Sequence, residues 1–171
     1  MAPNRVQQQF DTDGVNQVWF TDTTFIPNDE GWLYLVTVLD NYSRQIVGWS
    51  MGLHHDAELA TQALHMAITH QHPAQGLIIH SDRGSEFANH LFAQTCADAG
   101  IIRSMSAKGK CYDNAMAESF FATLKLEAVC GQVFPHRAEA RIALFDYIEV
   151  FYNRQRLHSD IGFATPASRV V

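Results

Sequence analysis

Residues 18–52 hold three β-forming segments joined by connections too short to cross a sheet, and this spacing fixes the first half of the fold. VWFTDTTFI (18–26) is dense in aromatic and β-branched residues. The turn cluster Pro27-Asn28-Asp29-Glu30-Gly31 follows, then WLYLVTVLD (32–40) and RQIVGWSMG (44–52) around Asn41-Tyr42-Ser43. Such short connections demand an antiparallel meander. After it the pattern changes. Asp56 is placed to cap a helix on which Ala60, Ala63, Leu64, Ala67 and Ile68 recur at helical spacing, and His72-Pro73 ends it. GLIIHSD (76–82) is too short for a helix and reads as a buried strand after a crossover. A second helix over 88–99 stops at Gly100, and IIRSMS (101–106) reads as a last strand. The loop AKGKCYDN (107–114) leads to a helix over about 115–128, with Asp113 or Asn114 as its cap, and an amphipathic helix spans 137–152. The order predicts an α/β domain: a mixed five-stranded sheet, three strands antiparallel and then two parallel, with helices on both faces.

The domain expected is 16–168, with residues 1–15, polar and aperiodic, as a flexible lead-in. At 171 residues and 47% apolar content the chain can bury a full core. No apolar run reaches membrane-spanning length, and the N-terminus lacks a signal-peptide layout. Cys96, Cys111 and Cys130 are too widely and irregularly spaced for a zinc ribbon or a disulfide framework, and a reduced, intracellular protein is expected. The net charge is −6. It divides unevenly: residues 1–100 carry three Lys/Arg against eleven Asp/Glu, a net −8, and residues 101–171 carry nine against seven, a net +2. A domain so charged lacks the positive field that drives non-specific binding to duplex nucleic acid.

Three carboxylates stand in unusual places. Asp22 interrupts an otherwise uncharged strand, Asp82 ends the strand LIIHSD just before Arg83-Gly84, and Glu118 follows the AKGKCYDN loop. On an α-helix Asn114, Glu118 and Lys125 fall on one stripe, within about 40° of each other. Phosphodiester chemistry needs an activated oxygen nucleophile and relief of negative charge, and a pair of divalent cations held by hard carboxylate oxygens serves both needs. Taken singly, each residue has an ordinary alternative. Asp22 suits a solvated edge strand, Asp82 a strand-ending turn and Glu118 a solvent-facing helix position. Glu86 and Glu127 compete with Glu118 on spacing alone. Arg103, Lys108 and Lys110 form either a nucleic-acid contact or a solvated basic turn. The nine histidines form no HExxH or paired Cys/His pattern, and His80 alone is expected near the site.

Four segments together go further: W-F-T-D-T-T (19–24), G-W-L-Y-L-V-T-V-L-D-N-Y-S-R-Q-I-V-G-W (31–49), H-S-D-R-G-S-E-F (80–87) and K-G-K-C-Y-D-N-A-M-A-E-S-F-F-A-T-L-K-L-E (108–127). With the tail Y-N-R-Q-R-L-H-S-D-I-G-F-A-T-P-A (152–167), they resemble the integrase-type catalytic core of bacterial insertion-sequence transposases, of the retroviral-integrase superfamily. Thirty-five residues (83 to 117) separate Asp82 from Glu118, the spacing characteristic of that group. The resemblance covers about 16–168 and implies a ribonuclease-H-like fold. It implies a catalytic and metal-binding triad of Asp22, Asp82 and Glu118, holding Mg²⁺ or Mn²⁺ as two ions, and donor-end cleavage with strand transfer by a DNA 3′-OH. His80, Lys108, Lys110, Asn114 and Lys125 fall at motif positions that imply DNA contact or support of the triad. Two positions depart from the pattern: Glu86 stands where Gln is usual and Lys110 where Asn is usual, and Glu86 would add charge beside the metals. The implied partners are transposon ends and target DNA, a second copy of the chain and a DNA-recognition module on another segment, in the bacterial cytoplasm at the nucleoid. A plain nuclease of the same fold, and a catalytically silent scaffolding or dimerisation remnant, are the alternatives.

Overall fold

A computed structural model describes residues 1–7, 11–107 and 111–170, with the side chains of residues 111 and 112 excepted. The meander is β1 (Val18–Asn28), β2 (Gly31–Asp40) and β3 (Ile46–Gly52), followed by α1 (Ala57–Gln71) and β4 (Ile78–Ser81). A single turn α2 (Ser85–Ala88), α3 (His90–Asp98), β5 (Ile102–Met105), α4 (Ala115–Leu124) and α5 (Arg137–Phe145) complete the domain. The strand order is β3-β2-β1-β4-β5, with β1 antiparallel to β2 and parallel to β4, and β4 parallel to β5. This is the mixed five-stranded sheet that the sequence order predicts.

Alternation along the strands divides the interior into two cores. Phe20 and Ile26 of β1, with Leu33, Leu35 and Leu39 of β2, face α4, α5 and the turn that continues α5, where Phe120, Leu124, Leu144 and Ile148 pack. Trp19, Val36 and Val38 face the other way, towards Ala60, Ala63, Leu64 and Ala67 of α1 and Phe92 and Cys96 of α3. The small residues of α1 let it lie close on the sheet. A Cβ on Gly48 of β3 would stand 2.3 Å from the Ala63 carbonyl oxygen and 2.8 Å from the Ala67 Cβ. The Asp56 side chain accepts from the Leu59 N–H at 2.9 Å, and His72 closes α1 in a left-handed conformation, as the sequence indicated. Ahead of β1, where a flexible lead-in was expected, Val6 is buried in the first core and the Arg5 N–H donates to Ser104 Oγ at 2.8 Å.

The structure differs from expectation along the last two helices. α4 gives way to a π-helical turn at Lys125–Val129, and α5 to another at Asp146–Tyr152. Each π turn takes one residue more than an α turn and so rotates the side chains after it. The two turns are tied together: Tyr147 Oη donates to Glu127 Oε2 at 2.7 Å, and Arg156 grips the same carboxylate through Nε and Nη2 at 2.9–3.0 Å. Neither expected cap closes α4 by a side-chain bond: Asn114 turns to β1, and Asp113 accepts from Asn4 Nδ2 at 2.8 Å.

The close approach at Gly48 yields the first prediction. Gly48→Ala forces α1 away from β3 and should lower unfolding stability by about 2 kcal/mol, the usual cost of overpacking a tight contact. Urea denaturation followed by circular dichroism measures this, and an unchanged midpoint would show that α1 does not rest on that glycine.

Candidate active site

The parallel pairing of β1 with β4 puts Phe20 beside His80. β4 ends one residue later, and Asp82 follows it in the turn, near enough for its charge to act on Asp22, which lies two residues past Phe20 on β1. Each aspartate is anchored through one oxygen. Asp22 Oδ1 accepts from the Thr23 N–H at 2.8 Å, and Asp82 Oδ1 from the Gly84 N–H at 2.7 Å. The other oxygen of each makes no hydrogen bond among the described residues.

Glu118 lies on the exposed side of α4, one turn after that helix begins, and its charge acts on Asp22. Asn114, fully buried, directs its Nδ2 at the Thr21 carbonyl at 3.5 Å and so ties the start of α4 to β1 next to Asp22. Its Oδ1 is buried without a partner among the described residues. Lys125 sits lower on the helix, with its ammonium 5.2 Å from the centre of the Phe25 ring. Glu127, the competitor on spacing, is held elsewhere by Arg156 and Tyr147. Burial alone would raise its carboxyl, but those two bonds outweigh burial and hold it below the ordinary value.

The structure narrows one expected position and corrects another: His80 keeps its place next to the aspartates, and Arg103 leaves the basic loop. His80 is wholly buried, its Nδ1 2.8 Å from Ser104 Oγ and its Nε2 3.1 Å from Ser106 Oγ. Burial pushes its imidazole down to about 4, so it is a neutral core residue beneath the aspartates, out of reach of a nucleic acid. Arg103 belongs to β5, and its Nη2 donates to the Phe87 carbonyl at 2.7 Å, a fold contact instead of part of a basic loop. Lys108 and Lys110 lie outside the described residues.

The sequence did not single out His55. Glu86 is 5% exposed, and its Oε1 accepts from Thr23 Oγ1 at 3.1 Å and lies 2.5 Å from His55 Nε2. Its negative charge acts on both Asp22 and Asp82, as expected of a carboxylate at that position.

Electrostatic strain concentrates on Asp22. Burial first, then the charges of Asp82, Glu118 and Glu86, raise its carboxyl from 3.8 to about 7, against the pull of the Thr23 N–H. Asp82 is shifted upward as well, by burial and by Glu86, with the Gly84 N–H and His55 opposing. Among the described residues no three His, Cys, Asp or Glu side chains stand close enough to hold one metal ion. The donors nevertheless suit a hard divalent cation. They are carboxylate oxygens with an uncommitted atom each, and their mutual repulsion is what such a cation relieves.

The sequence matches the family model of the integrase core domain over residues 12–111, and a second integrase core domain model over residues 118–168. It is 45% identical over 168 residues to the insertion element IS600 uncharacterized 31 kDa protein of Shigella sonnei, covering 98% of this chain and 62% of that protein. It is 43% identical to the transposase for insertion sequence element IS904 of Lactococcus lactis subsp. lactis (strain IL1403), over 96% of this chain and 65% of the relative. The chain thus spans less than two thirds of the length of these curated relatives. Among solved structures, an integrase in the simian T-cell lymphotropic virus intasome with the PP2A regulatory subunit B56 gamma superposes with a TM-score of 0.77 at 16% identity, over 99% of this chain and 58% of that one. The HTLV-2 integrase catalytic core domain in complex with magnesium gives 0.70 at 17% identity, over 94% of this chain and 100% of that one. These likenesses establish the ribonuclease-H-like fold.

The strain on Asp22 is measurable. An acid whose folded pKa lies above its unfolded value destabilises the fold once ionised, so the penalty is absent below about pH 4, grows through pH 4–7 and is complete above pH 7. In chelator-containing buffer, Asp22→Asn should therefore raise unfolding stability at pH 8 by about 2 kcal/mol, after allowance for solvent screening, and change little at pH 4. Thermal melts across that range check it. A variant less stable than the wild type at pH 8 would contradict the strained-carboxylate picture.

Proposed function

This chain belongs to the integrase core domain family, and from that premise we propose that it is the catalytic core of a DNA transposase, carrying out divalent-metal-dependent DNA cleavage and strand transfer. The observation that carries the reading is the meeting of Asp22 and Asp82 at the carboxyl end of β4, with Glu118 presented by the helix that covers them. Open α/β sheets hold their ligands at such strand ends.

On this reading Asp22, Asp82 and Glu118 are the catalytic residues and the metal ligands. Mg²⁺ or Mn²⁺, as two ions, would supply an activated oxygen nucleophile and neutralise charge at the scissile phosphate. The chain's own groups fix the geometry. The Thr23 and Gly84 N–H groups orient the two aspartates, and Asn114 sets the height of α4 over β1. Lys125 extends the Glu118 stripe and offers its ammonium to the DNA backbone, a role also proposed for Lys108 and Lys110. His80 supports from below without touching the substrate. The substrates are transposon ends and target DNA, acted on in the bacterial cytoplasm by an assembly of more than one copy. The net charge of −6 supports placing recognition of the ends on a segment outside this core. Among the described residues no helix is long and apolar enough to cross a membrane.

A branched oligonucleotide that mimics the strand-transfer product isolates the chemistry from end recognition. With Mn²⁺ the wild type should resolve the branch into joined strands, and Glu118→Gln should be at least about 100-fold slower, since removing a ligand disables the cation pair. Equal activity in the variant would remove Glu118 from the site. Cut ends without joined strands would identify a plain nuclease of the same fold.

A further inference from the structure

We propose that Glu86, latched by His55 and Thr23, is a positioning residue that holds the Asp82 turn in place for cation binding. The inference rests on the reading of Asp82 as a cation ligand and adds to it how that ligand is kept in place.

Glu86 is an anomaly by burial: its side chain is 4% exposed, yet it is a carboxylate beside two others. A buried charge persists in a fold only where it is hydrogen-bonded and paired. Here one oxygen takes both the Thr23 hydroxyl, from β1, and the His55 ring nitrogen, from the connection between β3 and α1. The His55 ring is itself stacked on Tyr34 of β2, at 5.5 Å between centroids and 19° between planes. Two strands and the connection between β3 and α1 are thereby joined to one carboxylate. The other flank of the carboxylate presses on Gly84: a Cβ built there would lie 2.5 Å from Glu86 Oε2 and 2.7 Å from its Cδ. Only a glycine admits the carboxylate so close to the backbone. Gly84 is the residue whose N–H grips Asp82 Oδ1, and its carbonyl accepts from the Phe87 and Ala88 N–H groups to start α2. Phe87, next in the chain, is fully buried in the second core and anchors the far side of the turn. Tyr34, His55, Glu86, Gly84 and Asp82 form an unbroken series of contacts from the sheet to the site. Thr23 adds a second tie, because the neighbouring Asp22 takes its N–H.

Positioning and charge are separable, because glutamine keeps the acceptor oxygen and discards the charge. The experiment is a Mn²⁺ titration of the whole chain by calorimetry, comparing wild type with Glu86→Gln, Glu86→Ala and Gly84→Ala. Amide exchange at Gly84 is followed by NMR on the same proteins before any metal is added. Glu86→Ala should bind Mn²⁺ about tenfold more weakly, the lower end of the usual cost of losing a support behind a metal ligand, and its Gly84 amide should exchange faster. Glu86→Gln should stay within about twofold on both readouts. Gly84→Ala displaces the carboxylate without altering it and should reproduce the alanine result, which separates the latch from a simple folding defect at position 86. Equal Mn²⁺ affinity in wild type and Glu86→Ala would overturn the proposal, and equal losses in Ala and Gln would overturn it in favour of charge alone. A wild type that binds no Mn²⁺ would overturn the functional reading itself, and the latch with it.

Discussion

The site depends on a mismatch in strand length. β4 last pairs with β1 at Phe20↔His80, whereas β1 continues to Asn28. Past that pair β1 has β2 on one side and no β4 on the other, so the sheet opens between its two central strands. The opening receives the turn that follows β4, which carries Asp82, and the carboxylate of Glu86 closes it from the α1 side. α4 closes the other side, fixed at its start by Asn114 on the Thr21 carbonyl. A longer β4 would zip the sheet shut and leave Asp22 as one more residue of a ladder. A shorter β1 would remove the platform that carries Thr23, Asp22 and the contact with α4. The parallel pairing also points the ends of β1 and β4 the same way, which collects the carboxylates at one edge of the sheet.

Placing acidic groups in that opening works against the fold, and the structure concentrates the cost on Asp22, whose carboxyl is raised to about 7 by burial and by its acidic neighbours. The fold accepts this because its two cores are complete without the site. Trp19, Phe20, Leu35, Val38, Leu64, Phe92 and Leu144 are each almost wholly inaccessible and none is needed to neutralise a carboxylate. A strained charge is stable only where the surroundings over-determine it, and here that means a sheet covered on both faces. The paired π turns fit the same division. They join α4 to α5 through Glu127, Tyr147 and Arg156, so the helix carrying Glu118 is braced at its far end, away from the repulsion.

Local chemistry made much of this legible beforehand. Alternation and turn residues disclosed the meander and the two parallel strands, because each strand buries a face and each turn needs residues that tolerate it. Asp22 and Asp82 stood out because a charge within or ending an apolar strand has few structural uses. What stayed hidden depends on contacts distant in sequence. Of the two roles open to His80, DNA contact or support, the sequence could not choose, because the partners of its nitrogens, Ser104 and Ser106, lie more than twenty residues away. No sequence pattern marks the two π turns, and the bond that links them joins Glu127 and Tyr147, twenty residues apart. His55 was invisible for the same reason: its partner Glu86 lies 31 residues away, and only the fold brings them together.

The charge asymmetry of the chain also changes meaning once the contacts are known. The second part of the sequence carries the surplus of basic residues, which by itself suggests a DNA-facing half. Most of its arginines are engaged within the fold: Arg103 with the Phe87 carbonyl, Arg137 with Glu30, Arg141 with the Met51 carbonyl, Arg156 with Glu127 and Arg169 over the Tyr42 ring. Basic residues committed in this way release few counterions on binding a duplex, so they add little to affinity. The ammonium of Lys125, by contrast, shows among the described residues a ring contact with Phe25 and no hydrogen bond. On the proposed reading, the core therefore aligns a phosphodiester at the carboxylates without gripping the helix around it, and the grip has to be supplied by other copies or other segments. That separation of chemistry from affinity explains how a domain with a net charge of −6 can serve a polyanionic substrate.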